Sequence, residues 1–185
     1  MIQHCVLGQA GSGKSTFIEK IFPRDEFIFF SVGNILREMF SCLKKKQRDN
    51  NVWEFANPLV YSIYKHCCWI SNKYEYPLVT DGFPRNTTQL SHMNRYLTTP
   101  KLGKVSVCIH MLDISEEEQI KRINNRNSGI DDYQAKRIKQ SRDDFNEILD
   151  ALEVLMEDPN NNINYEIKWY NQKNGDFILD RHYKS

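Results

Sequence analysis

The chain has 185 residues and a formal net charge of +1, from 25 Lys and Arg against 24 Asp and Glu. At roughly 100–200 residues per domain this length argues for one domain, and the charge balance excludes a broad cationic field for nucleic acid or an anionic membrane. The longest apolar stretches, such as residues 105–112, fall far short of the ~20 residues of a membrane span.

The first residues, Met1-Ile-Gln-His4, read at once as a strand, so no signal or transit peptide is expected. The cysteines, Cys5, Cys42, Cys67, Cys68 and Cys108, are odd in number and irregularly spaced. None forms a CxxC or a Cys/His cluster in the sequence. Neither a disulfide framework nor a zinc site is expected; buried free thiols in a reducing, cytoplasmic compartment are. Small-molecule partners, no membrane and a monomer or weak oligomer complete that expectation.

Apolar and β-branched runs alternate with helical patterns, which predicts βαβ units and a parallel sheet. In chain order, strands are expected at 2–7, 27–30, 78–80, 105–112 and 163–170. Helices are expected at 14–21, 33–42, 58–74, 87–96 and 115–126, and over about 133–156, where Ile138, Phe145, Ile148, Leu149, Leu152 and Leu155 recur at near-helical spacing. Ser115-Glu-Glu-Glu118 has the pattern of a capping box. Residues 44–51 are polar, mostly charged, and predicted to loop out.

Between the first strand and first helix stands Gly8-Gln-Ala-Gly-Ser-Gly-Lys-Ser15, a full match to GxxxxGK[ST], followed by Thr16. The glycines let backbone N–H groups curl around phosphate oxygens, and the helix N-terminus adds positive potential. Lys14 is placed to reach β- and γ-phosphates, and the hydroxyl of Ser15 or Thr16 to approach Mg²⁺. Gly11, Ser12 and Gly13 complete the expected triphosphate cradle. The expected architecture is therefore a P-loop three-layer α/β/α fold with a five-stranded parallel sheet.

At the end of the third strand comes Asp81-Gly-Phe-Pro-Arg85. That carboxyl edge is where open parallel sheets bind ligands. Asp81 is suited to the magnesium shell, through water. Gly82 allows close backbone approach, Pro84 stiffens the turn, and the Arg85 fork matches phosphate.

With these motifs the sequence resembles the nucleoside monophosphate kinases of the adenylate kinase and UMP/CMP kinase family. DGFPR is that family's signature, and Gln89 matches its glutamine four residues further on. Phe30-Ser-Val-Gly-Asn-Ile-Leu-Arg37 resembles the acceptor-binding segment, and Arg122-Ile-Asn-Asn-Arg126 the entry to the ATP lid. The resemblance implies a helical acceptor-binding insert at 33–73 and a short lid at 126–132. It implies that Arg37 and Arg85 clamp the acceptor phosphate, that Gln89 reads the base edge, and that Val32, Gly82, Phe83 and Pro84 help to form the acceptor site. Arg122 is expected near the ATP adenine and Arg126 near the triphosphate; a solvated helix face is the plainer reading of both.

The sequence departs from the family at three places. Ile130 stands where a lid arginine is expected, which leaves Arg142, or Arg137 in competition, as the later arginine on the transferred phosphate. Asn34 replaces the usual Asp. Val32 replaces Thr or Ala, which removes a hydroxyl and inclines base choice away from strict AMP use. Trp53 stands near the base-contacting stretch, with stacking on a base and plain packing both open. The implied activity is reversible transfer of a phosphoryl group from Mg-ATP to a (deoxy)nucleoside monophosphate. An adenylate kinase-like ATPase acting as a switch on a partner is the alternative.

Overall fold

The computed structural model describes residues 1–39, 52–127, 132–173 and 176–184. The elements run β1 (Ile2–Gly8), α1 (Lys14–Ile21), β2 (Ile28–Ser31), α2 (Val32–Met39), α3 (Val52–Tyr74), β3 (Leu78–Asp81), α4 (Thr87–Leu97), β4 (Ser106–Leu112), α5 (Glu116–Asn127), α6 (Asp132–Glu157), β5 (Asn164–Lys173) and β6 (Asp176–Lys184). They form one sheet in the order β2-β3-β1-β4-β5-β6. The first five strands pair in parallel, as the alternating pattern predicts.

The sixth strand corrects the five-strand expectation. It pairs antiparallel with β5 and forms the sheet edge. Every residue of it except Phe177 is exposed, and its apolar stretch is only the three residues Phe177-Ile178-Leu179 between charged neighbours, a weak signal for a strand. The proline at 58 misled in the other direction: α3 begins at Val52 and continues through it. A proline there removes one ladder bond, and the rest of a long helix packed on the sheet absorbs that loss. The expected loop at 44–51, and the end of the helix expected at 33–42, lie outside the described residues.

Successive side chains of a strand face opposite ways, and β1 sorts its residues accordingly. Cys5 and Leu7 enter a core with Tyr64 of α3, Met93 of α4 and Phe145, Ile148 and Leu152 of α6. Val6 enters the other, with Phe17 and Ile18 of α1, Phe22 and Leu112. These are the three expected layers. The pairings Val6↔Asp81, Ser31↔Asp81 and Gly8↔Leu112 bring the carboxyl ends of four strands to one edge. The two sequence motifs meet there.

Candidate active site

The phosphate loop begins where β1 ends, and its first glycine is dictated by contact. A Cβ on Gly8 would lie 2.5 Å from Ser12 Oγ and 2.7 Å from Leu112 O. Gly11 and Gly13 have φ of 84° and 86°, in the left-handed region that side chains rarely adopt. They turn the chain into α1, whose first ladder bond runs from Phe17 N–H to Gly13 O at 2.9 Å. The Lys14 ammonium donates to Gly8 O at 2.7 Å and to Gln9 O at 2.9 Å, arching over the loop.

Asp81 lies beside this loop. Its Oδ2 accepts the Ser31 hydroxyl at 3.1 Å. Ser15, Ser31, Asn34 and Asp81 line one cleft of about 210 Å³ with Arg24 and Glu19. That volume is below the ~300–1,000 Å³ of a typical small-molecule site, so it suits one part of a ligand. A hydroxyl and a carboxylate facing one cleft form a hard oxygen set of the kind that holds hydrated Mg²⁺.

The turn after β3 is built from its own sequence. Gly82 has φ of 63° and donates its N–H to Val6 O at 3.1 Å. The Thr80 hydroxyl donates to Phe83 O at 2.6 Å, and the Phe83–Pro84 peptide is cis. Arg85 Nε donates to Gly82 O at 3.1 Å. Gln89 is buried, and its Oε1 accepts the Arg85 N–H at 2.8 Å. Asn86 caps α4 by accepting the Gln89 N–H at 2.9 Å. Phe83 and Val32, both expected at the acceptor site, are wholly buried in the larger core.

On the opposite flank, Arg122 reaches the phosphate loop through Nη1 on Gly11 O at 3.2 Å. Glu118 accepts its Nε at 2.7 Å, and that hydrogen bond holds the Glu118 carboxyl below its usual range. Glu118 thus closes only half of the expected capping box: its N–H bonds Ser115 Oγ at 3.3 Å, while its carboxylate turns to Arg122. Arg142 donates from Nη2 to Ile114 O at 3.2 Å, and its buried Nε has no hydrogen-bond partner among the described residues. The side chains of Arg37, Trp53, Arg126 and Arg137 lie outside the described residues, as do residues 128–131 of the expected lid.

Two features escape the sequence reading. Ser141 Oγ accepts the Ala10 N–H of the loop at 3.0 Å; its adjacency to Arg142 was the one signal. The β5–β6 hairpin also flanks the loop, with Phe177 Cζ 3.4 Å and Gln172 Oε1 3.6 Å from the Cβ position of Gly13. Phe177 meets Phe17 edge-on at 5.0 Å, and Lys20 pairs with Asp176 at 3.2 Å.

Residues 7–139 match the family described as AAA domain. The chain belongs to that family. This AAA-domain chain is also 31% identical over 122 residues to an adenylate kinase of Prochlorococcus marinus (strain MIT 9301), covering 63% of the chain and 64% of the relative. A UMP-CMP kinase of Prunus armeniaca is 29% identical over 150 residues, 77% of the chain and 61% of the relative. An adenylate kinase of Rickettsia prowazekii (strain Madrid E) is 29% identical over 127 residues, 66% and 57% respectively. The AAA-domain chain thus spans about three fifths of the length of these curated relatives. Among the described residues no helix is long and apolar enough to cross a membrane.

Proposed function

We propose that the protein transfers a phosphoryl group reversibly from Mg-ATP to a (deoxy)nucleoside monophosphate. The observation that carries this reading is the shared sheet edge: the phosphate loop and the Gly82–Arg85 turn leave neighbouring strands side by side, joined by Gly82 N–H on Val6 O. A donor triphosphate on the loop and an acceptor phosphate at Arg85 would then meet over Asp81. The similarity to both adenylate and UMP-CMP kinases supports the class of acceptor.

Phosphoryl transfer asks a protein mainly for positioning and charge neutralisation. Lys14 supplies a point charge for the β/γ-phosphates, and the N–H groups of residues 11–16 a cradle at the α1 N-terminus. Arg85, with Arg37, holds the acceptor phosphate. Arg122 holds the loop from outside, and Arg126 with Arg142 or Arg137 serves the transferred group. Ser15 and, through water, Asp81 would hold Mg²⁺, which when bound neutralises phosphate charge. Residues 33–73 and 126–132 act as the acceptor-binding insert and the lid, closing to keep water from the donor phosphate.

Val32 brings no hydroxyl to the acceptor side, and loss of such a group outweighs a methyl's difference in shape. The acceptor is therefore a pyrimidine or relaxed (deoxy)nucleotide rather than AMP alone. The test is kcat/KM with Mg-ATP and a panel of AMP, CMP, UMP, dTMP and their ribo or deoxy counterparts. Diphosphate product from at least one supports the activity, and ATP turnover indifferent to every acceptor overturns it. A preference for AMP above about tenfold overturns only the base choice.

A further inference from the structure

On the sheet face that carries α1, three side chains from distant parts of the sequence converge. His4 is on β1, and Cys108 and His110 are on β4, where alternation points both to one face. The β1–β4 register sets His4 opposite Cys108. The result is one nitrogen from each histidine and the Cys108 sulfur, all within 4.8 Å of one another. His4 Nδ1 lies 3.1 Å from His110 Nε2.

We propose that His4, Cys108 and His110 form a binding site for a divalent transition metal of the zinc class. Zinc–nitrogen bonds of about 2.0–2.1 Å at tetrahedral angles place two nitrogens about 3.3 Å apart, so the imidazoles already stand at the required separation. The sulfur has to close by about 1 Å to meet a Zn–S bond of about 2.3 Å, which rotation of one thiol can supply. Two imidazoles and a thiolate are a donor set suited to zinc.

The surroundings fit a ligand role. His110 Nδ1 lies 3.3 Å from the Tyr170 hydroxyl. Donation to that oxygen fixes the tautomer with the Nε2 lone pair facing the site, as outer partners of metal-bound histidines do. Burial lowers His4 to about 4 and His110 to about 3, so both rings are neutral, the form that ligates. Burial raises the Cys108 thiol to about 12, so the metal has to displace its proton. Glu166, beside Cys108 across the β4–β5 pairing, is held down to about 2, against the upward push of desolvation, by hydrogen bonds from the Cys108 thiol, Lys168 and His182, so metal binding has to replace the Cys108–Glu166 hydrogen bond. Phe22 at 5.0 Å from His4 and Phe17 at 5.5 Å from His110 wall off the α1 side.

Binding balances simply. The shared proton between the rings stays on the His4 imidazole as its Nε2–H tautomer, and one proton leaves the thiol per metal bound.

The experiment is titration of chelator-treated protein with Co²⁺, read by absorption, followed by Zn²⁺ competition and thermal melting. One equivalent of cobalt is expected to give a thiolate-to-cobalt charge-transfer band that zinc abolishes, and zinc is expected to raise the melting temperature. Cys108→Ser should lose the band, His4→Gln should weaken affinity by at least about tenfold, and Cys67→Ser should retain both. His4 is only half-buried, so its variant keeps the test valid if Cys108→Ser fails to fold. Absence of the band in the unaltered protein, its persistence in Cys108→Ser, unchanged affinity in His4→Gln, or its loss in Cys67→Ser overturns the proposal.

Discussion

The side-chain oxygen of Gln89 accepts the main-chain N–H of Arg85 at 2.8 Å. The residue expected to read the acceptor base is therefore also the brace of the residue expected to hold the acceptor phosphate. Gln89→Leu leaves that half-buried N–H without this acceptor, at the low end of the ~1–3 kcal/mol that an orphaned buried donor costs. The expected result is a lower melting temperature together with a raised KM for the acceptor. Unchanged acceptor KM across the panel would separate the brace from the clamp.

Lys14→Met removes the point charge from the phosphate loop. Loss of one preorganised electrostatic group typically lowers turnover ~10²–10³-fold. The fold should survive, because the Lys14 ammonium donates to two carbonyls of its own loop, at 2.7 and 2.9 Å. Steady-state kinetics beside circular dichroism checks both halves. Near-normal kcat contradicts the cradle.

Arg85→Ala, and likewise Arg37→Ala, should raise the acceptor KM far more than they weaken ATP. The Arg85 guanidinium is anchored on Gly82 O, in the turn proposed to hold the acceptor. Calorimetric ATP binding measured with acceptor kinetics distinguishes the half-sites. A loss confined to ATP affinity would mean that they are assigned the wrong way round.

Gly8→Ala tests the foot of the loop. The new methyl would meet backbone at Leu112 O, 2.7 Å away, and such overpacking costs typically ~1–3 kcal/mol. Both the denaturation midpoint and ATP affinity should fall. An unaffected midpoint would show that β4 yields without difficulty.

Ser141→Ala is the subtler change. It removes the acceptor of the Ala10 N–H, and a single hydrogen bond contributes ~0.5–1.5 kcal/mol. ATP affinity is expected to drop severalfold with the acceptor KM unchanged. An equal effect on both substrates would point instead to a general loosening of α6.

What the sequence disclosed and what it withheld have separate physical causes. The phosphate loop and the Asp81–Arg85 turn were legible because each needs particular residues at fixed spacing, and the structure sets both on one edge. Strands β1, β3 and β4 were legible because burial on both faces makes them apolar runs, and β5 because Tyr165 and Ile167 alternate with polar residues. Strand β6 was not, since this exposed edge strand offers only the short apolar stretch Phe177-Ile178-Leu179 among mostly polar residues. The His4–Cys108–His110 cluster was hidden for another reason. No linear spacing links residue 4 to residues 108 and 110; only the β1–β4 register does. The Cys-x-His alternation on one strand was the part a reader could have found. The hydrogen bond from Ala10 to Ser141 spans 131 positions and depends wholly on how α6 docks.

The tight seat of Gly8 on Leu112 also sets a schedule for synthesis. Strand β1 is synthesised before its sheet neighbours, β3 and β4, and the floor beneath its last residue is the end of β4. Contacts so far apart in sequence form late, because a long loop has to close before they contribute. A nascent chain that stops short of β4 carries the whole phosphate-loop motif without its foundation. ATP then has no formed cradle to enter, and cannot act as a template for the early chain.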